Sequence, residues 1–126
     1  MKFAIYCRKS TDSDDRQVLS LDSQKSTLLK IARDNKLEVV MILEESKTAK
    51  KPGRKEFDKL IQLVDKGKIQ GILCWKLDRL SRNPIDGGTI SWYLQQGKIQ
   101  KIKTHDRDYL PTDNILMMSV ELGMAN

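Results

Sequence analysis

The feature that most limits how this chain can fold is an alternation of short apolar runs with amphipathic stretches. The apolar runs have the length of strands and lie at positions 3–7, 39–43, 69–75 and 99–103. Between them, apolar residues recur with helical spacing, as in Phe57, Leu60, Ile61 and Val64. This alternation is typical of β-α units that build a parallel sheet. We therefore predict an α/β domain whose central, mainly parallel sheet of four to five strands is flanked by helices.

Capping residues predict where the helices begin and end. Ser20 is a good N-cap for a first helix that ends before Leu37. A second helix, with Phe57 on its buried face, is followed by Gly67, a residue that often terminates helices. Asn83 and Pro84 have the types preferred at the N-cap and first position of a third helix.

The length of the chain, 126 residues, suits a single domain with one core. Polar stretches without periodicity at 11–16 and 46–53 are predicted to be loops. A last helical pattern begins at Asp113 and still continues at Asn126. We therefore expect residues 1–126 to form one domain that is truncated at the start of a long C-terminal helix.

The apolar runs also bear on the cellular environment. None approaches the ~20 residues that a membrane span requires, and the N-terminus does not resemble a secretion signal. We expect a soluble, cytoplasmic protein without a membrane partner.

Cys7 and Cys74 lie in strand-like runs and are predicted to be buried free thiols, while Trp75 and Trp92 are predicted to pack in the core.

The chain carries a formal net charge of +6, which favours a polyanionic partner but does not prove one. In parallel α/β sheets, ligands bind beyond the carboxyl ends of the strands. After the first and third predicted strands come segments that contain Arg8, Ser10, Asp78, Arg79 and Arg82. Guanidinium groups suit the charge that develops when a hydroxyl attacks a phosphodiester, although a single arginine is more often a solvated surface residue.

Three spaced motifs make this pattern more specific, and they are Tyr6-x-Arg8-x-Ser10, Leu21-Asp22-x-Gln24 and Asp78-Arg79-Leu80-x-Arg82. Together they resemble the resolvase/invertase family of serine recombinases over nearly the whole chain. The segment 75–82 carries the most specific part of the resemblance. The separation of Ser10 from Gln24 is similar to that in the large serine recombinases of phages and mobile elements, which is the branch that we favour.

The resemblance implies an activity and its partners. It implies that Ser10 attacks the backbone of double-stranded DNA, forms a 5′-phosphoserine link and releases a 3′-hydroxyl. The cut ends then exchange by subunit rotation and are rejoined by the reverse reaction, so the bond energy is stored and no ATP, metal or other cofactor is needed. It further implies a homodimer that associates into a tetramer, in a bacterial or phage-encoded protein that recombines or integrates DNA.

The resemblance also assigns roles to side chains. It implies that four arginines contact the scissile phosphate, namely Arg8, Arg54, Arg79 and Arg82. Gln24 and Asp78 would position or assist, and Asp78 is either a general acid or an anchor for an arginine. No histidine is placed to take the proton of Ser10. The single histidine, His105, is predicted to be structural, because one such side chain makes a poor metal site.

Other functional classes fit the residues less well. A cysteine phosphatase would need an arginine six residues after Cys7, where Ser13 stands. A phosphate-accepting receiver domain would need acidic residues after the first strand, where Arg8 and Lys9 stand. The serious alternative is a non-catalytic, basic module that binds nucleic acid or protein, and it predicts that a Ser10→Ala change leaves all activity intact.

Overall fold

The computed structural model describes residues 1–9, 20–45, 55–81 and 83–112. The strands are β1 (Lys2–Arg8), β2 (Glu38–Glu45), β3 (Gly71–Leu73), β4 (Lys101–Lys103) and β5 (Asp108–Tyr109), and the helices are α1 (Leu21–Asp34), α2 (Lys55–Asp65), α3 (Leu77–Leu80) and α4 (Pro84–Gln96). The strands form one sheet in the order β2-β1-β3-β4-β5. Only β5 runs antiparallel to its neighbour among these strands. The predicted α/β fold with a mainly parallel sheet is confirmed.

The sheet has a buried cluster on each face, and β1 contributes alternately to both. On one face, Ile5 and Cys7 pack with Leu28 of α1. On the other face, Tyr6 belongs to a larger cluster that includes Leu60 of α2. Each such buried side chain contributes about 1.5–3 kcal/mol. The strand that precedes the predicted nucleophile is therefore buried on both of its faces.

The predicted helix boundaries agree with the structure. Ser20 caps α1, since its Oγ accepts a hydrogen bond of 3.1 Å from the backbone N–H of Ser23. Asn83 caps α4 by accepting a bond of 2.8 Å from the N–H of Asp86, and Pro84 is the first helical residue. Gly67, just beyond α2, has the left-handed φ of 70° that glycine adopts without strain.

Some expectations were wrong or lie outside the described residues. Trp92 is 54% exposed instead of packed in the core, because its position on α4 is two residues from the buried Ile90 and therefore on the opposite side of the helix. The third strand is shorter than expected, and the short elements α3 and β5 were not predicted. The predicted loops at 11–16 and 46–53 and the predicted helix from Asp113 fall outside the described residues.

Both cysteines are buried free thiols, as predicted. Within the part of the chain that the structure describes, no helix combines the length and the apolar character that crossing a membrane demands.

Candidate active site

The candidate site lies at the edge of the sheet where β1, β2 and β3 end. Arg8, the last residue of β1, pairs with Glu45, the last residue of β2. The backbone N–H of Lys9 extends this pairing by donating to the carbonyl of Glu45 at 3.1 Å. On the other side of β1, β3 leads into α3, which carries Arg79. The carboxyl ends of three parallel strands thus converge on one edge, as the sequence predicted.

Arg8 connects the two arginine-bearing segments. Its side chain is only 1% exposed, and its Nε donates to the backbone carbonyl of Arg79 at 3.4 Å. Its Nη1 donates to the carbonyl of Lys9 at 3.3 Å. The side-chain amide of the buried Gln24, in the first turns of α1, donates to the carbonyl of Arg8 at 3.1 Å. Arg8, Gln24 and Arg79, three of the predicted site residues, are therefore brought together.

Arg79 lies on the single turn of α3, which is anchored by its two leucines. Leu77 and Leu80 are both buried in the large core cluster, one on each side of the arginine in sequence. The N–H of Arg79 donates to the carbonyl of Lys76 at 3.0 Å. The motif spacing therefore has a physical reason, because the leucines of Leu77-Asp78-Arg79-Leu80 fix the backbone from which the arginine projects.

Both described arginines of the motif are nearly inaccessible to solvent. Arg8 is 1% exposed and Arg79 is 5% exposed. A charged group is buried only when hydrogen bonds or opposite charges compensate its lost hydration. Direct contact of either guanidinium with a phosphate therefore requires a rearrangement that exposes it.

Glu45 is a part of this edge that sequence reasoning missed. Its carboxylate is 4% exposed and accepts a hydrogen bond of 3.1 Å from the hydroxyl of Tyr6. It also accepts bonds from the first turn of α2, at 2.9 Å from the N–H of Phe57 and 3.3 Å from that of Glu56. A negative charge is favourable at a helix N-terminus. The available signal was its position at the end of β2, but the predicted strand stopped at Leu43.

The remaining predicted site residues cannot be compared with the structure. Ser10, Arg54 and Arg82 lie outside the described residues. Asp78 falls within α3, but its side chain is also outside what the structure describes. Their assigned roles stay predictions.

Cys7 lies in β1 directly before Arg8, and its environment suppresses its reactivity. It is fully buried beneath α1. Burial, followed by the negative charge of Glu44, raises the pKa of the Cys7 thiol to about 12. Because the thiolate is the nucleophilic form of cysteine, a thiol with this pKa is inert near neutral pH. This finding argues against a cysteine phosphatase.

His105 lies on the loop after β4 and stacks on Trp75, with ring centroids 4.0 Å apart and planes 11° from parallel. Among the described residues, no three histidine, cysteine, aspartate or glutamate side chains are grouped so that they could hold a metal ion.

Comparison with known proteins places this geometry in context. The family model described as "Resolvase, N terminal domain" matches residues 3–123. The N-terminal catalytic domain of TP901-1 integrase is 25% identical, with a TM-score of 0.70 over 99% of this chain and 91% of that one. A resolvase family site-specific recombinase from Streptococcus pneumoniae is 26% identical, with a TM-score of 0.66 over 95% of this chain and 82% of that one. A search of curated proteins found no match.

A further solved structure is similar in fold alone. The C-terminal catalytic domain of ISC1926 TnpA, an IS607-like serine recombinase, is 21% identical, with a TM-score of 0.68 over 96% of this chain and 76% of that one.

Proposed function

Because this chain belongs to the resolvase family of serine recombinases, we propose that it cuts and rejoins DNA through a covalent bond between Ser10 and a backbone phosphate. The observation that carries the proposal is the joining of two distant motifs at one sheet edge by the bond from Arg8 Nε to the carbonyl of Arg79. Lys9, the residue before Ser10, is held at this same edge by its bond to Glu45. Site-specific DNA recombination is the activity that family membership supports.

The proposed reaction exchanges one phosphodiester for another. The Oγ of Ser10 forms a bond to phosphorus while the bond from phosphorus to the 3′ oxygen breaks. The serine hydroxyl loses its proton, the departing oxygen gains one, and the products are a 5′-phosphoserine link and a 3′-hydroxyl. Attack of a 3′-hydroxyl from the exchanged strand reverses the step. Since every step conserves the number of ester bonds, resealing needs no external energy source.

Arginines supply the electrostatic part of this proposal. We assign stabilisation of the pentavalent transition state, whose charge spreads over the non-bridging oxygens, to Arg8, Arg54, Arg79 and Arg82. By analogy with an oxyanion donor, loss of one such group costs on the order of 3 kcal/mol, or roughly a hundredfold in rate. Because Arg8 and Arg79 are buried, the proposal requires DNA binding to be coupled to opening of the site.

The polar residues around these arginines receive supporting roles. Gln24 holds the backbone of Arg8 through its bond to the carbonyl, so we assign it to positioning. Asp78 precedes Arg79 and is assigned either proton donation to the 3′ oxygen or anchoring of an arginine. DNA binding and oligomerisation follow from membership of the family, and we propose double-stranded DNA as substrate and dimers that pair into a tetramer as the acting form.

Mass spectrometry of the intact natural protein, incubated with its cognate duplex, tests the nucleophile. The duplex carries a nick that traps the cleaved state, and its sequence is taken from the boundaries of the mobile element that encodes the protein. We expect a DNA adduct on the peptide that contains Ser10. The cut strand should have a 3′ end that a polymerase extends and a 5′ end that a kinase cannot label.

Two variants give this experiment its controls. Ser10→Ala should abolish the adduct and the cut while circular dichroism remains that of the wild type. Ser23→Ala, which changes an exposed serine on the first turn of α1, should keep both. A folded, DNA-bound wild type that forms no adduct, or an adduct that persists in Ser10→Ala, contradicts the proposal; the first result supports the non-catalytic binding module.

A further inference from the structure

The turn that carries Arg79 depends on contacts with the rest of the fold, and the packing of Leu77 and Leu80 in the core is only one of them. Strand β3 ends at Leu73, and residues 74–76 connect it to α3. Within the described segment 55–81, the N-cap residue of α3 is Lys76, whose side chain makes no capping hydrogen bond. A helix of one turn is not stable by itself, because nucleation costs more than one turn of hydrogen bonds returns. Contacts from neighbouring elements must therefore set its position.

On the side of β1, the anchor is Arg8, whose Nε bonds the carbonyl of Arg79 at 3.4 Å. On the side of β4, the connector is held by two backbone bonds beyond the end of β3. The N–H of Cys74 donates to the carbonyl of Lys103 at 3.0 Å, and the N–H of His105 donates to the carbonyl of Trp75 at 3.2 Å. The connector, residues 74–76, is thus hydrogen-bonded to the end of β4 and to the loop after it.

The aromatic pair reinforces this second anchor. Trp75 and His105 are stacked almost face to face, at 4.0 Å and 11°. The turn that presents His105 is closed by Thr104, whose N–H donates to the carbonyl of Arg107 at 2.8 Å and whose Oγ accepts from the N–H of Arg107 at 3.1 Å. His105 borders an open pocket of about 360 Å³. Its stack on Trp75 links this turn to the connector.

From these contacts we infer that His105 and Trp75 are positioning residues for DNA cleavage, acting by fixing the connector from which α3 presents Arg79. This inference rests on the proposed function. As positioning residues, neither His105 nor Trp75 contacts the reacting atoms. Reactive geometry is sensitive to displacements of this kind, since a misplacement of about 1 Å can cost roughly a hundredfold in rate.

The first measurement asks whether the stack exists in solution. In a Trp92→Phe background, Trp75 is the sole source of tryptophan emission. The imidazole of His105 covers one face of the Trp75 indole at 4.0 Å. Its removal in His105→Ala should expose the indole to water and move the emission maximum to longer wavelength, whereas His105→Phe, which keeps a stacking ring, should retain the wild-type maximum. Equal emission maxima for His105→Ala and the protein that keeps His105 overturn the inference.

The second measurement asks whether the stack positions Arg79. Single-turnover cleavage of the cognate duplex by the intact natural protein is measured at saturating DNA, for His105→Leu and His105→Phe. Leucine fills the space without stacking, whereas phenylalanine keeps a stacking ring. We expect His105→Leu to lower the cleavage rate constant at least about tenfold with DNA affinity unchanged, and His105→Phe to restore it to within about threefold.

Tyr93→Leu provides a matched control, since it removes a half-buried ring from α4 that contacts the ammonium of Lys98 at 4.9 Å, the carboxylate of Asp65 and the large core cluster. It should leave the rate constant unchanged at a similar loss of stability. Equal rates for His105→Leu and wild type, or equal losses for His105→Leu and His105→Phe, overturn the positioning role. If the wild type itself does not cleave, it is the proposed function that fails.

Discussion

Replacing the buried Glu45 with glutamine tests how the candidate site is held together. The carboxylate accepts hydrogen bonds from the hydroxyl of Tyr6 and from the N–H groups of Glu56 and Phe57. In Glu45→Gln, one of the two oxygens becomes an NH₂ group that cannot accept, and the remaining bonds lose their charge assistance. A hydrogen bond to a charged group contributes about 1.5–3 kcal/mol and a neutral one about 0.5–1.5 kcal/mol. The expected cost is therefore about 2–4 kcal/mol.

Urea unfolding of the 126-residue chain, followed by circular dichroism, measures this cost. With a slope of about 2 kcal/mol per M, the midpoint should fall by about 1–2 M in Glu45→Gln. The adjacent Glu44 provides the matched control, because its carboxylate pairs with Lys25 at 3.0 Å on the surface, where solvent screens the interaction. Glu44→Gln should leave the midpoint within error. Equal midpoints for the two variants would refute the role assigned to Glu45.

Two further predictions concern the interior of the sheet and the surface of α4. The Cys7 thiol, with its pKa raised to about 12, should resist alkylation by iodoacetamide at pH 8 until the protein is unfolded. Because the unfolded thiol ionises near 9.0, the contribution of the buried thiol to stability is complete below that pH and is lost as the pH rises toward 12. Between pH 8 and pH 10, the urea midpoint should therefore fall more steeply in the wild type than in Cys7→Ala. Gly71→Ala would bring a Cβ to 2.5 Å from the buried ring of Phe3 and should lower the free energy of unfolding by about 1–3 kcal/mol. Gly88→Ala, with no atom within 4 Å of the new Cβ, should raise it by about 0.5–1 kcal/mol. Thermal unfolding that ranks the two glycine variants in the opposite order would contradict this packing.

The strands and long helices could be predicted from the sequence because their signals are local. The apolar spacing from Phe57 to Val64 and the caps Ser20 and Asn83 act within a few residues, and the structure agrees with each of them. Helix α3 could not be predicted in the same way. It is a single turn whose position depends on Arg8 and on the loop after β4, both distant in sequence.

The candidate site shows the same limit. The rule that ligands bind at carboxyl ends of strands correctly brought Arg8 and Arg79 to one edge, because neighbouring parallel strands end together. It missed Glu45, because β2 extends two residues beyond its apolar run and its acidic end looked like surface. The prediction that Trp92 packs in the core was wrong for a related reason, since the type of the residue favours burial while its position on the helix places it on the exposed side.

The contact between Arg8 and Arg79 joins residues 71 positions apart. Such a contact closes a long loop, and contacts of this kind form late because the chain must first lose the corresponding entropy. A chain in which β1 and β3 have not yet paired therefore lacks this contact, however well its local helices are formed. For a protein that we propose to break DNA, this arrangement makes the capacity to cut contingent on the pairing of two strands that are distant in sequence.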